Sequence, residues 1–304
     1  MRKKSLSKKM DTLLYKENKG LLKSSNKSRV LRKILANKLA VVGAIIFILM
    51  VILCYGAPLF TDYSPTAIDL RNRLVPPNST HILGTDKIGH DMWARILYGG
   101  RISIFIGFGS AVGAALIGVS LGTYAGYRGG MLDSVVMKFS EIMMSFPQII
   151  LVSIIVAITG QSLWNLIFIF ILTGWPGMYR MARSQMLSIR EEEYIQALQA
   201  FGIKKSIIAF KHMLPNAIGP IFVNITLSTA MFILQESSLS FLGLGVPMEV
   251  ATWGNIINVA QDLTILREAL WVWLPAGIVI TVFVMAINFI GDGLRDAADP
   301  TQVG

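Results

Sequence analysis

Long apolar runs separated by short polar segments are the main pattern along this chain of 304 residues. Such runs indicate membrane spans, because an ionised side chain at the bilayer centre costs about 2.5 kcal/mol or more. The first, second, fifth and sixth runs are 39–59, 102–127, 217–239 and 269–290. Between them, residues 142–179 lack Asp, Glu, Lys and Arg, and one helix of that length would measure about 57 Å, nearly twice the hydrocarbon thickness. A turn signal at residues 159–162 divides this stretch, so six spans are predicted.

The composition places these runs in a membrane protein. The chain is 53% hydrophobic and only 15% charged, whereas soluble domains are about 25% charged. It therefore lacks the polar surface of an ordinary cytosolic enzyme, and its apolar content excludes intrinsic disorder. The single cysteine, Cys54, excludes an intrachain disulfide and a cysteine-based metal site. We predict an all-α integral membrane protein that holds no metal.

The basic residues indicate how the spans are oriented. Lys and Arg number 28 against 18 Asp and Glu, and 13 of the 28 lie in residues 1–38. A basic tail before an apolar run is typical of a cytoplasmic segment facing lipid headgroups, and we rank this above an arm that binds nucleic acid. With the tail inside, 22 basic residues face the cytoplasm and 6 face outward. The positive-inside rule therefore places both termini in the cytoplasm of a multi-pass cell-membrane protein.

This topology divides the chain into five parts. The first run is longer than the apolar stretch of about 7–15 residues in a signal peptide, so it is retained as a helix. The parts are a basic cytoplasmic tail (1–38), the first transmembrane helix (39–59), an extracytoplasmic loop (60–96), a five-helix core (97–290) with a cytoplasmic loop (188–216), and a cytoplasmic tail (291–304).

The cytoplasmic loop carries helix signals of its own. Ser188 and Glu191 have the spacing of a capping box, which predicts a helix start. Ile195, Leu198 and Phe201 recur at helical spacing and form an apolar stripe. The pattern leaves two partners open for this stripe: the lipid headgroups, or a groove in a cytosolic protein.

Glycine and proline mark the ends and bends of the predicted helices. Gly202 stands where a C-cap glycine is expected. A second short helix, 204–213, is predicted to end before Pro215. Spans three, four and six contain prolines that predict kinks, namely Pro147, Pro176 and Pro275.

At these residues the loop resembles the EAA motif of the permeases of binding-protein-dependent ABC importers. Ala197, Gly202, Leu214 and Pro215 match that motif, and Gln196, Leu198 and His212 depart from it. The oligopeptide, dipeptide and nickel branch, which has Glu-Tyr-x-x-Ala before the glycine and His-x-Leu-Pro-Asn after it, fits better. The residues that fit this version are Glu193, Tyr194, Ala197, Gly202, His212, Leu214, Pro215 and Asn216.

Two further stretches resemble the same branch. One precedes the second span and reads Leu83-Gly-Thr-Asp-x-x-Gly-x-Asp91, followed by Arg95 and by Gly100-Arg-x-Ser103. The other follows the fifth span and reads Glu236-Ser-Ser-Leu-Ser-Phe-Leu-Gly-Leu-Gly245, followed by Trp253-Gly254. His90 and Ala94 depart from the usual Arg and Ser of the first stretch. Three ordered signatures on one six-span scaffold carry the resemblance.

The resemblance implies a type I (MetI-like) permease fold and the role of an importer subunit. In this family a sister permease completes the pore, two ATP-binding subunits dock on the cytoplasmic loop, and an extracytoplasmic binding protein delivers substrate. The chain has no Gly-x-x-x-x-Gly-Lys-Ser/Thr phosphate loop. We therefore expect that the chain is not an enzyme and binds no cofactor. Its partner subunits would hold ATP and Mg²⁺. The expected cargo is oligopeptides or dipeptides; the alternatives are nickel or another small solute, or a self-sufficient secondary transporter.

Two sets of residues inside the spans are assigned roles. Glu236, Ser237 and Ser238 are predicted to border the outer part of the translocation path, because an ionisable group in a membrane normally faces a bundle interior or an aqueous cavity. Small residues in span two predict close helix packing, namely Gly109, Gly113, Gly118, Gly122 and Gly126. Gly118-x-Ser120-x-Gly122 also fits the nucleophile elbow of serine hydrolases, but Ser120 lies in a helical run, so we favour packing.

Overall fold

A computed structural model describes residues 35–298 of the chain, and its helices account for most of them. Residues 1–34, which form most of the predicted basic tail, and residues 299–304 lie outside the described part. The helices are α1 (Lys38–Tyr55), α2 (Met92–Arg128), α3 (Gly130–Met144), α4 (Gln148–Thr159), α5 (Leu163–Arg190), α6 (Glu193–Ala200), α7 (Lys205–Phe241), α8 (Trp253–Asn258), α9 (Leu263–Glu268) and α10 (Leu270–Ala298). Short 3₁₀ turns occur at Ala57–Leu59, Leu70–Asn72 and Val259–Gln261.

Four of these helices are long and apolar enough to cross a membrane, namely α1, α2, α7 and α10. The pair α3 and α4 makes a fifth if the two count as one span. Helix α5 has the necessary length, but its second half carries Arg180, Arg183 and Arg190. The all-helical prediction is therefore confirmed, whereas the count of six spans and the orientation of the termini are not.

The third predicted span is broken, which corrects the expectation of one kinked helix. Helices α3 and α4 meet at an angle of 84° across Ser145, Phe146 and Pro147. Proline lacks an N–H and disfavours helical geometry in the residue before it, so the chain leaves the helix at this point. The predicted turn after this span is present, with Gly160 at a φ of +83°. Pro176 and Pro275 lie inside continuous helices.

Several helices extend beyond the predicted spans into the polar regions. Helix α2 begins at Met92, before the predicted core boundary at residue 97, because the Asp91 carboxylate accepts a hydrogen bond from the Ala94 N–H at 2.8 Å and caps it. Helix α5 continues past residue 179 to Arg190, and α10 runs into the predicted tail 291–304. The apolar pattern marks only the part of a helix that lipid would cover.

Helix α2 lies at the centre of the bundle, with α5 along one side, α7 along another and α1 near its N-terminal part. Helix α2 approaches α5 so closely that only glycine fits at two positions. A Cβ at Gly118 would lie 2.5 Å from the Trp175 carbonyl oxygen, and one at Gly122 would lie 2.6 Å from the Tyr179 carbonyl oxygen. Gly113 faces Ile171, and Gly126 faces Arg183 in the same way. Gly109, by contrast, has no such neighbour within 4 Å in the described residues.

Candidate functional site

The cytoplasmic loop begins with a sharp reversal after α5, and the predicted capping box is not formed. Ser188 lies in the last turn of α5, where its carbonyl accepts from the Glu191 N–H at 3.3 Å. Helix α6 starts only at Glu193, with Glu192 as its N-cap residue and no side-chain cap. The prediction of a helix start at Ser188 is therefore wrong, because the turns of α5 already satisfy the backbone groups that a cap would have to serve.

Gly202 closes α6 in a Schellman motif. Its φ is +71°, and its N–H bonds to the Gln199 carbonyl at 2.9 Å. The Ile203 N–H bonds to the Leu198 carbonyl at 3.3 Å. These two bonds satisfy carbonyls at the helix end, and the left-handed φ favours glycine at this position.

The apolar stripe of α6 is divided between two environments. Ile195 is fully buried and Leu198 partly buried against Ile208 and Met213, which lie in the first part of α7. Phe201, in contrast, is 84% exposed. The first two stripe residues are thus used by the chain itself, and the face left open for a partner includes Phe201 and the half-exposed Tyr194.

The second predicted helix does not end before Pro215, because it is the first part of α7. It passes from an α-turn (Lys205–Ile207) through a wide π-turn (Ile208–Met213) into a 3₁₀ turn (Leu214–Ala217). Pro215 stands at the start of that last turn, where its missing N–H costs little. Within the loop, the Asn216 amide donates to the Tyr194 hydroxyl at 2.7 Å, so the two halves of the loop signature are in direct contact.

The remaining predicted loop residues surround this contact. Glu193, Gln196, Ala197 and Pro215 are exposed, and His212 and Leu214 are partly buried. The Gln196 amide donates to the Glu191 carbonyl at 3.2 Å. The roles of these residues in docking a partner stay predictions.

Replacing Gly202 should weaken the loop through its backbone alone. A valine there must adopt the left-handed region, which costs an L-residue about 1–2 kcal/mol, whereas asparagine tolerates it better. Among the described residues, no atom beyond the adjacent ones of the chain lies within 4 Å of a Cβ placed at Gly202, so a steric clash does not complicate the comparison. We expect Gly202→Val to lower the recovery of ATP-binding subunits with the chain roughly tenfold, as that energy range allows, and Gly202→Asn to lower it much less. Equal recovery in the two variants would show that the conformation of Gly202 is not what matters.

An ion pair that the sequence analysis missed links α3 to α5. The Arg183 guanidinium donates from Nε and Nη2 to the two carboxylate oxygens of Asp133, both at 2.6 Å. The Tyr179 hydroxyl donates to Asp133 Oδ1 at 3.0 Å. Asp133 is buried, and the Arg183 side chain is 25% exposed. Arg183 lies on the helix that ends at the cytoplasmic loop, so the pair connects that loop to the broken helix pair.

The two outer signatures meet around the carboxylate of Glu236. Glu236 is fully buried and accepts hydrogen bonds from Ser240 at 2.9 Å and from Thr252 at 2.8 Å. The Ser103 hydroxyl lies 3.5 Å from its second oxygen and also accepts from the Trp253 N–H at 3.1 Å. Residues from α2, α7 and the start of α8 are therefore joined at one buried acid, which identifies a packing role for these signature positions.

The predicted path residues do not share one environment. Ser237 is nearly buried and donates to the Ile233 carbonyl of its own helix, whereas Ser238 is exposed. Their assignment, with Glu236, to the translocation path stays a prediction. The Ser120 hydroxyl donates to the Leu116 carbonyl of its own helix at 2.6 Å, and Ser120 lies inside the continuous helix α2 and not at a strand-to-helix turn.

Paired histidines and carboxylates order the outer loop. His81 Nδ1 lies 2.9 Å from Asp91, and His90 Nδ1 lies 2.9 Å from Asp86. Arg95 Nη1 lies 2.7 Å from the same nitrogen of His90. These groups are all buried, and they fix the loop that carries the first signature against the start of α2.

Comparison with known proteins agrees with this arrangement. A family model described as binding-protein-dependent transport system inner membrane component matches residues 118–303, and one for the N-terminal TM domain of oligopeptide transport permease C matches residues 25–77. The oligopeptide transport system permease protein OppC of Bacillus subtilis is 40% identical over 87% of this chain and 86% of its own length. The dipeptide transport system permease protein DppC of Alkalihalophilus pseudofirmus is 40% identical over the same shares. A putative peptide permease protein of Brucella suis is 38% identical over 90% of each chain. The resemblance is thereby confirmed: the chain belongs to the family of inner membrane components of binding-protein-dependent transport systems.

Proposed function

We propose that this chain is a pore-forming permease subunit of an ATP-driven ABC importer that moves oligopeptides or dipeptides across the cytoplasmic membrane by alternating access. The observation that carries this proposal is the similarity to permeases named for oligopeptide and dipeptide transport over nearly nine tenths of the chain. The helical loop with its exposed face, between α5 and α7, supports the same role. The chain itself does no covalent chemistry.

The proposed assembly assigns a partner to each side of the membrane. Two ATP-binding subunits hold ATP and Mg²⁺ and dock on α6, where Tyr194 and Phe201 are exposed. A sister permease completes the pore, and an extracytoplasmic binding protein delivers the peptide. The topology has six spans, with α5 and the α3–α4 pair as two of them, and both termini in the cytoplasm.

Co-purification followed by transport tests this proposal. The tagged chain is purified in mild detergent, its companions are identified, and the complex is placed in proteoliposomes with its binding protein and ATP. We expect two ATP-binding subunits, one sister permease and ATP-dependent uptake of labelled di- and oligopeptides. Uptake of nickel but not of peptides would show that the chain belongs to a nickel importer of the same class. Ion-driven transport by this chain alone would overturn the importer.

A further inference from the structure

The break between α3 and α4 lies deep within the membrane in the proposed topology. Helix α4 has 12 residues, so it reaches only about 18 Å from its outer end at Thr159. Thr173 lies about 15 Å below the outer start of α5, and Gln235 lies about 9 Å below the end of α7. The outer ends are level with one another, because Gln161 donates to the Gly243 carbonyl. The break is therefore inside a hydrocarbon layer of about 30 Å.

Polar side chains from three helices meet at this break. The Gln148 amide donates to the Thr173 hydroxyl at 3.2 Å. The Gln235 side-chain amide nitrogen donates to the side-chain oxygen of Gln148, Oε1, at 3.0 Å. The side-chain oxygen of Gln235, Oε1, is also buried, and it has no hydrogen-bond partner among the described residues. The cluster thus leaves one acceptor unused, and such an acceptor is costly in a region of low polarity.

The non-helical residues at the break are exposed on the surface of this subunit. Ser145, Phe146 and Pro147 are all exposed, with Phe146 at 57%. Irregular backbone does not face lipid within the hydrocarbon region, and it occurs there only where other protein covers it or where it lines a water-filled cavity. Broken helices that end at mid-membrane polar groups line the substrate sites of other transporters.

From this arrangement we infer that the α3–α4 break lines the translocation path, and that Gln235 Oε1, held by Gln148 and Thr173, accepts a hydrogen bond from a main-chain N–H of the passing peptide. This inference rests on the proposed function for its substrate class. The side-chain amide of Gln235 is suited to accept this hydrogen bond, because every peptide repeats the main-chain N–H group whatever its side chains are. The cluster carries no charge, so it does not select among acidic, basic and neutral peptides.

The first test asks whether the break meets water. Cys54 is the only cysteine, so a Cys54→Ala background makes the chain cysteine-free. Gln148→Cys in this background is exposed to a charged, membrane-impermeant methanethiosulfonate, in vesicles of both orientations, with and without ATP, Mg²⁺ and vanadate. Ser110→Cys, at a fully buried site in α2, is the unreactive control, and Ser79→Cys in the exposed outer loop is the reactive one. We expect labelling of Gln148→Cys that changes with the nucleotide state. Labelling as low as that of Ser110→Cys in every state would overturn the placement on the path.

The second test asks what the cluster recognises. The reconstituted complex is given trialanine or its analogue with an ester in place of the second amide, at matched occupancy of the binding protein. We expect Gln235→Leu to lower trialanine uptake about three- to tenfold, the loss of one hydrogen bond of ordinary strength, and to lower uptake of the ester much less. Among the described residues, the Thr281 hydroxyl bonds only to the Gly277 carbonyl of its own helix, so Thr281→Val should leave both rates unchanged.

The outcomes separate the inference from the proposed function. An equal loss for amide and ester, or no loss, would overturn main-chain recognition at Gln235. If the unaltered complex imports nickel and no peptide, the proposed cargo is wrong and main-chain recognition falls with it. The thiol labelling still decides, independently of cargo, whether the break lines the path.

Discussion

Gly118→Ala is expected to destabilise the folded protein by about 3 kcal/mol, the upper end of the usual cost of an overfilled core. The added methyl group would lie 2.5 Å from the Trp175 carbonyl oxygen and 2.6 Å from Met178 Cβ. Neither atom can rotate away, because both are fixed by the α5 backbone. Helices α2 and α5 would have to separate along the stretch where Gly122 and Gly126 also approach.

Gly109→Ala is the matched control on the same helix. No atom outside its own helix turn lies within 4 Å of the new methyl group in the described residues. Alanine also favours the helix over glycine by up to about 1 kcal/mol, so we expect equal or slightly higher stability. The thermal unfolding midpoints of the purified complexes compare the two variants. Similar midpoints for both would contradict the close contact of α2 with α5.

Asp133→Asn is expected to reduce transport strongly while the subunits still assemble. The change keeps the shape of the side chain but removes the charge that holds the two-point contact with Arg183. Breaking a fully buried ion pair costs about 3–5 kcal/mol; this one should cost less, because the Arg183 side chain is 25% exposed. Since Arg183 is on the helix that leads into the cytoplasmic loop, we expect hydrolysis of ATP to continue with little peptide uptake.

Uptake and ATP hydrolysis are measured together in proteoliposomes to test this uncoupling. Glu141→Gln removes the same charge from an exposed site on the same helix, and it should leave the ratio of the two rates unchanged. The reciprocal exchange Asp133→Arg with Arg183→Asp should restore part of the coupling if the pairing itself is what matters. Loss of assembly in Asp133→Asn, or an unchanged ratio of the rates, would refute a coupling role.

The sequence predicts the parts of this fold that depend on local chemistry. Apolar runs locate the membrane helices, and Gly160 and Gly202 mark turns that need a left-handed φ. Pro147 indicates a bend, but the 84° angle depends on what α3 packs against. Ser188 shows the limit of local signals, since a residue suited to cap a helix is absorbed by the helix before it.

Pairings between distant residues are the part that the sequence does not predict. Asp133 and Arg183 are 50 positions apart, and nothing in their neighbourhoods indicates a contact. The meeting of Gln148, Thr173 and Gln235 likewise depends on three helices taking their final positions. In the cytoplasmic loop and around Glu236, by contrast, signature residues contact one another, Tyr194 with Asn216 and Ser103 with Glu236. The family resemblance named these positions, but it did not predict which of them pair.

The wide turn Ile208–Met213, in the first part of α7, sets the rotation of the cytoplasmic loop relative to the regular part of α7 that begins at Ile218. Each residue of an α-helix advances the direction of its side chain by about 100°, and a π-turn accommodates one extra residue in the helical path. Deleting one residue here would leave the helix continuous and tighten the turn to ordinary α geometry. Every loop position before it would then be rotated by about 100° relative to the membrane helix, so the exposed face of α6 would turn away from its present direction.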